Sequence, residues 1–141
     1  MIRPSVVIKR HNGEPYLRRW HLIPRNRFCN VYLHHFVGSD DERATHDHRW
    51  WSLSFKLKGS LWEFYGPINR APGAMTSCRF IPWLWPVVRS PEFSHRLVVP
   101  FGGSAWTLFL TGPAVREWGF NCADGWKDHR AYDRDGGCDD A

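Results

Sequence analysis

The close spacing of turn residues constrains this chain more than any other feature. Short apolar or alternating runs are cut off by glycine, proline, asparagine and aspartate, and no stretch sustains a helical period. The runs read as strands over residues 5–9, 16–23, 29–37, 50–58, 61–65, 76–80, 86–89, 95–99, 106–111 and 116–120. Turns are expected at Asn12-Gly13, Gly38-Ser39-Asp40, Gly59-Ser60, Pro72-Gly73, Gly102-Gly103 and Gly112-Pro113, where glycine supplies positive φ and proline stops a ladder. A single helical turn is expected over 40–43. The pattern is that of an all-β sandwich or barrel.

With 141 residues there is room for one core, so a single domain is expected over 1–120, followed by a polar C-terminal extension over 121–141 that frays from Asp133 onward. A content of 43% hydrophobic and 16% aromatic residues excludes a disordered chain, and most of the nine tryptophans are assigned to the core. No apolar run is long enough to span a bilayer and the N-terminus lacks the apolar region of a signal peptide, so a cytoplasmic protein without a membrane partner is expected. Cys29, Cys78, Cys122 and Cys138 fit no zinc or redox spacing and are expected to be reduced thiols. The arginines Arg18, Arg19, Arg25 and Arg27 load the first segment. No nucleic-acid motif accompanies them, so they read as a solvated edge strand and a nucleic-acid partner is not expected.

The chemistry concentrates in Thr45-His46-Asp47-His48-Arg49-Trp50-Trp51. In an extended segment, side chains two apart share a face, so His46 and His48 form a clamp of two imidazoles while Asp47 points away. A third imidazole from another strand, His95, would complete a facial set with open positions. Such a set suits iron(II), zinc, copper, nickel or manganese.

These residues resemble the first motif of the cupin superfamily. Both histidines fit, and Gly59 stands eleven residues after the second, where the motif closes on a glycine. The motif's glutamate falls at Ser52 and its opening glycine at Asp40. The second motif is matched only by Pro91 and His95. The stretches Leu33-His34, His46-Asp47-His48, Leu57-x-Gly59, Trp62-Glu63, Thr111-Gly112-Pro113 and Glu117-Trp118-Gly119-Phe120 resemble short cupin-like proteins of bacteria and their phages. The resemblance implies a small jelly-roll β-barrel and a metal site. With Ser52 in place of the glutamate, the ligand set is three histidines, similar to that of thiol dioxygenases, with iron(II) favoured.

Continuing the alternation from His48 puts Ser52, Ser54, Lys56 and Lys58 on the metal face and Leu53, Phe55 and Leu57 on the other. Either a bulge over 49–51 shifts the register, or the apolar side packs against an outer sheet or a second subunit, which makes a homodimer the expected assembly. His34 is taken as the inward member of His34-His35 and as a candidate catalytic group. Glu63 is a candidate fourth ligand or general base, or an ion-pair partner of Lys56 across a hairpin. Arg89 and Arg96 are candidates to clamp an acidic substrate group.

No serine-hydrolase elbow or phosphate-cradling loop is present. The remaining classes are a three-histidine iron(II) oxygenase acting on a small molecule, a metal-dependent sugar-type isomerase or epimerase, and a non-catalytic binding or assembly module.

Overall fold

The computed structural model describes residues 2–10, 12–40, 44–66, 77–122 and 125–138. In chain order these form β1 (Val6–Lys9), β2 (Pro15–His21), β3 (Asn30–Phe36), β4 (Thr45–His46), β5 (Ser52–Gly59), β6 (Trp62–Tyr65), β7 (Ser77–Phe80), β8 (Val87–Arg89), β9 (His95–Val98), β10 (Ala105–Thr111), β11 (Gly119–Cys122), β12 (Gly125–Asp128) and α1 (His129–Asp135). Most expected strands recur within a residue or two. The run over 116–120 becomes β11, displaced toward the C-terminus. The expected helical turn over 40–43 and the Pro72-Gly73 turn fall wholly or partly outside the described residues. No described helix is long and apolar enough to cross a membrane.

The strands form two six-stranded antiparallel sheets, ordered β1-β2-β3-β10-β5-β8 and β12-β11-β4-β9-β6-β7. β3 and β10 are rich in β-branched and aromatic residues, and burial alternates through the whole of β10 and from Val31 onward in β3, as a strand with one face inward requires. Leu17, Phe36, Leu61, Ile81, Val87, Val99 and Ala105 form the main core cluster. Each fully buried large aliphatic or aromatic side chain there contributes about 1.5–3 kcal/mol. Gly59 sits at φ 84°, and a Cβ on it would lie 2.0 Å from the Ser104 carbonyl oxygen, so the close pairing of β5 with Ala105 requires glycine.

The alternation along β5 holds from Ser52 to Lys56. Ser52, Ser54 and Lys56 are buried, while Leu53 and Phe55 face outward with Leu33, Leu108 and Leu110 of the neighbouring strands. The bulge lies at Leu57 rather than over 49–51: Thr107 pairs with Lys56 and Trp106 with Lys58, which turns Lys58 to the outside. The polar inner face is therefore real, and it faces a cavity of about 440 Å³ between the sheets.

The tryptophans, expected in the core, lie outside it. None is buried; Trp51, Trp62, Trp83, Trp85 and Trp126 are exposed, and Trp50 and Trp118 line the cavity. Trp20, Trp106 and His35 stack on the outer face, with ring centroids 5.5 and 4.0 Å apart. The compact core between the sheets is filled by smaller side chains instead.

Two expectations about the C-terminal segment are corrected. Cys122 and Cys138 form a disulfide rather than free thiols, whereas Cys29 and Cys78 are free and exposed. Residues expected to fray from Asp133 carry the last turn of α1, capped by Asp128 at one end and by left-handed Gly136 at the other. Tyr132 stacks on Phe120 with centroids 3.7 Å apart and is buried with Ala44 and Cys122, which explains why this polar sequence stays on the barrel.

Candidate metal centre

Two neighbouring strands deliver the three histidines. His46 on β4 pairs directly with His95 on β9, and His48 follows two residues after His46, held by its backbone N–H donating to the Pro91 carbonyl. The ring centroids form a near-equilateral triangle with sides of 5.1, 4.9 and 5.0 Å, and one nitrogen from each ring lies within 4.8 Å of the others. Asp47, pointing the opposite way, pins the segment to β11 and β12. It accepts from the Gly119 N–H at 2.7 Å and from Trp126 Nε1 at 2.9 Å, and it pairs with Arg116 at 2.8 Å.

His95 has the strongest support. Its Nδ1 lies 2.6 Å from Glu63 Oε1; an ionised carboxylate can only accept, so the ring proton sits on Nδ1 and the Nε2 lone pair faces the triangle. Arg89 Nε donates to the same Glu63 oxygen at 2.6 Å, and Arg79 Nε donates to Oε2 at 2.6 Å. Burial alone would raise the Glu63 pKa, but the His95 hydrogen bond and the Arg89 charge outweigh it and hold the carboxyl far below the usual range. Burial lowers the pKa of His95 and His48; for His95 the Glu63 hydrogen bond opposes this without offsetting it, and for His48 the neighbouring His95 and His46 rings and the Arg89 and Arg19 charges add to it. Both rings are therefore neutral at neutral pH.

The other sequence candidates take different places. Glu63 is fully buried behind His95 with both oxygens engaged, does not line the cavity and makes no ion pair with Lys56. The expected hairpin does not form, because the chain crosses between sheets after Gly59 and β6 pairs with β7 and β9. His34 is buried, faces the cavity and accepts from Arg19 Nε at 2.9 Å through Nε2; burial and the Arg19 charge hold its pKa well below the ordinary histidine value. Arg89 is neutralised by Glu63, and Arg96 lies over the Phe64 ring rather than in the cavity. Ser52 is buried with its hydroxyl unpartnered, and it too lies outside the cavity lining.

Sequence reasoning missed Arg19, Thr107 and Asp40, all of which line the cavity. The signal for Arg19 was available: it is in phase with Leu17, an inward position of β2. Asp40 lies 3.9 Å from His46 Nδ1 and accepts from the Leu97 N–H at 2.8 Å. A second cluster, Glu117, Asp128 and His129, lies at the surface; Glu117 is already held there by Arg49 and Arg130.

The donor set fits a metal ion. Two buried nitrogens, His48 Nδ1 and His95 Nε2, have no hydrogen-bond partner, an expensive arrangement that a metal ligand would relieve.

Two antiparallel sheets around a histidine-lined cavity define a small all-β domain with a cupin-like fold. The chain is similar to a cupin domain from Bordetella pertussis (TM-score 0.50, 13% identity, 81% of this chain and 99% of that one). It is also similar to the iron(II) form of HppE (TM-score 0.59, 16% identity, 77% of this chain), of which it spans only 56% of the length. A third similar structure is a Ralstonia eutropha JMP134 protein provisionally named a mannose-6-phosphate isomerase (TM-score 0.55, 14% identity, 78% and 94% of the two chains). No family model and no curated protein matches the sequence.

Proposed function

We propose that His46, His48 and His95 hold a divalent metal, iron(II) in the first instance, and that the chain is a metal-dependent oxygenase acting on a small molecule in the cavity. The observation that carries this reading is the pair of orphaned, buried nitrogens in a triangle of imidazoles. Three neutral ligands leave coordination positions open, and the likeness to iron(II) HppE favours iron. When bound, the ion would supply a Lewis acid and, as iron, a site for dioxygen.

The chain's own residues do the rest. Glu63 keeps the His95 proton on Nδ1, and Arg89 and Arg79 keep Glu63 ionised. Phe36, Leu61, Ile81 and Phe109 give the cavity apolar walls that limit water. His34 faces the same space in its neutral form and is the candidate to move a proton; Glu63 is not, because its oxygens are taken.

The likeness to the Ralstonia protein favours a second reading, a sugar-type isomerase in which the ion polarises a carbonyl and His34 moves the proton. Nitric oxide separates the two. Metal-free protein loaded anaerobically with iron(II) and exposed to nitric oxide is expected to give the electron-spin-resonance signal of a high-spin iron nitrosyl, absent in His95→Ala. Preference for zinc or manganese over iron, or iron that takes up no nitric oxide, would sink the oxygenase and leave the isomerase.

A further inference from the structure

A row of polar side chains crosses the inner face of the first sheet. Arg19 on β2 pairs with His34 on β3, His34 with Thr107 on β10, and Thr107 with Lys56 on β5. All four line the cavity that also holds the three histidines. Apolar or aromatic pairs flank the row, Leu17–Phe36–Ala105 on one side and His21–Tyr32–Phe109 on the other. A polar strip carrying two cations thus lies between rows that are apolar or aromatic apart from Ser54 at the β5 end.

The cations of this strip differ from the other interior ones. Arg89 is paired with Glu63, Arg116 with Asp47 and Lys127 with Asp135. Among the described residues neither Arg19 nor Lys56 has a carboxylate partner; Lys56 Nζ lies only over the Phe80 ring, at 4.1 Å. Arg19 is the better placed. Its Nε donates to the neutral His34 ring, and its guanidinium lies 4.6 Å from the Tyr32 ring centroid, so two contacts fix the plane of the fork. Both terminal Nη groups remain without an acceptor in the described structure. A fixed guanidinium edge is the arrangement that takes two oxygens of a carboxylate, phosphate or phosphonate at once.

We propose that Arg19, oriented by His34 and Tyr32 beside Thr107, is the acid-binding subsite of this cavity, so that the substrate is a small molecule carrying an oxyanion group. The assignment rests on the reading of the cavity as the substrate pocket of a metal site. It specifies what that reading leaves open: one end of the substrate is an acid anchored on the first sheet, while the rest extends toward the histidines. It also moves the clamp from Arg89 and Arg96 to a residue that carries no internal counter-charge.

Calorimetric titration with inorganic phosphate, methylphosphonate and acetate tests the subsite on both metal-free and iron(II)-loaded protein. Binding of at least one of these probes is expected in the wild type, weakened about ten- to hundredfold in Arg19→Met, the range expected for a hydrogen-bonded charged partner. Arg19→Lys, which keeps the charge and loses the fork, is expected to fall between the two and guards against a folding defect in the methionine variant. Arg18→Met, on the opposite face of the same strand, is the control and is expected to bind like wild type. Equal weakening in Arg18→Met and Arg19→Met, unchanged affinity in Arg19→Met, or no heat with any probe overturns the proposal. Arg19-dependent binding in a protein that takes up no metal supports the subsite while removing the metal reading, so the two fail separately.

Discussion

Replacing Glu63 by alanine separates the two tasks that this carboxylate performs. Its side chain is fully buried, and Arg89, at 3% side-chain exposure, depends on it for a counter-charge. Removing one partner of such a pair strands the other, at a cost of about 3–5 kcal/mol, a large share of the 5–15 kcal/mol that keeps a domain folded. Arg79 adds little, because at 40% side-chain exposure it turns to water. The second task is to orient His95: without an acceptor at Nδ1 the ring is free to rotate or change tautomer, and loss of such a partner weakens metal affinity about 10–100-fold. Combining Glu63→Ala with Arg89→Met removes the stranded charge as well, so the double variant is expected to regain most of the lost stability and none of the metal affinity. Urea denaturation of metal-free protein and competition with a chromophoric chelator read the two quantities independently. A loss below about 1 kcal/mol in Glu63→Ala, or wild-type metal affinity in the double variant, would refute this account of the network.

Two other consequences follow from the packing and the buried histidines. The disulfide closes a loop over a sequence separation of 16, and Cys138→Ser is expected to lower stability by up to about 3 kcal/mol and the melting temperature by about 6–12 °C; an unchanged melting curve would mean that α1 holds without it. His34 is neutral in the fold because burial lowers its pKa, whereas the unfolded chain takes up a proton below about pH 6.5, so stability is full above that value and falls as the pH drops toward the folded pKa. In metal-free protein stability is therefore expected to fall as the pH drops from 7 to 5, and His34→Gln, which keeps an acceptor for Arg19, is expected to remove part of that slope; an equally steep pH profile in the variant would contradict it.

Much of the architecture is legible in the chain because strand alternation and turn residues are local signals. His46 and His48 share a face through the two-residue period, and the inward run Ser52, Ser54 and Lys56 follows from the same rule even though it puts polar groups between the sheets. What local pattern does not carry is pairing at a distance. Glu63 was expected opposite Lys56 on the assumption that consecutive strands form a hairpin, yet at Gly59 the chain changes sheets, which brings Glu63 against His95, 32 residues away. The Cys122–Cys138 bond is likewise invisible in spacing alone, since it depends on α1 folding back beside β11. Arg19 was read with Arg18, Arg25 and Arg27 as part of a solvated edge, but β1 covers that edge and the phase of Leu17 turns Arg19 inward.

The most direct test is metal content, measured by mass spectrometry on protein purified without chelators and on the His48→Ala and His95→Ala variants. The account predicts about one divalent ion per chain in the wild type and near-complete loss in both variants. A wild type that stays metal-free after anaerobic loading with iron(II), zinc or manganese, or variants that retain their full complement, would contradict it.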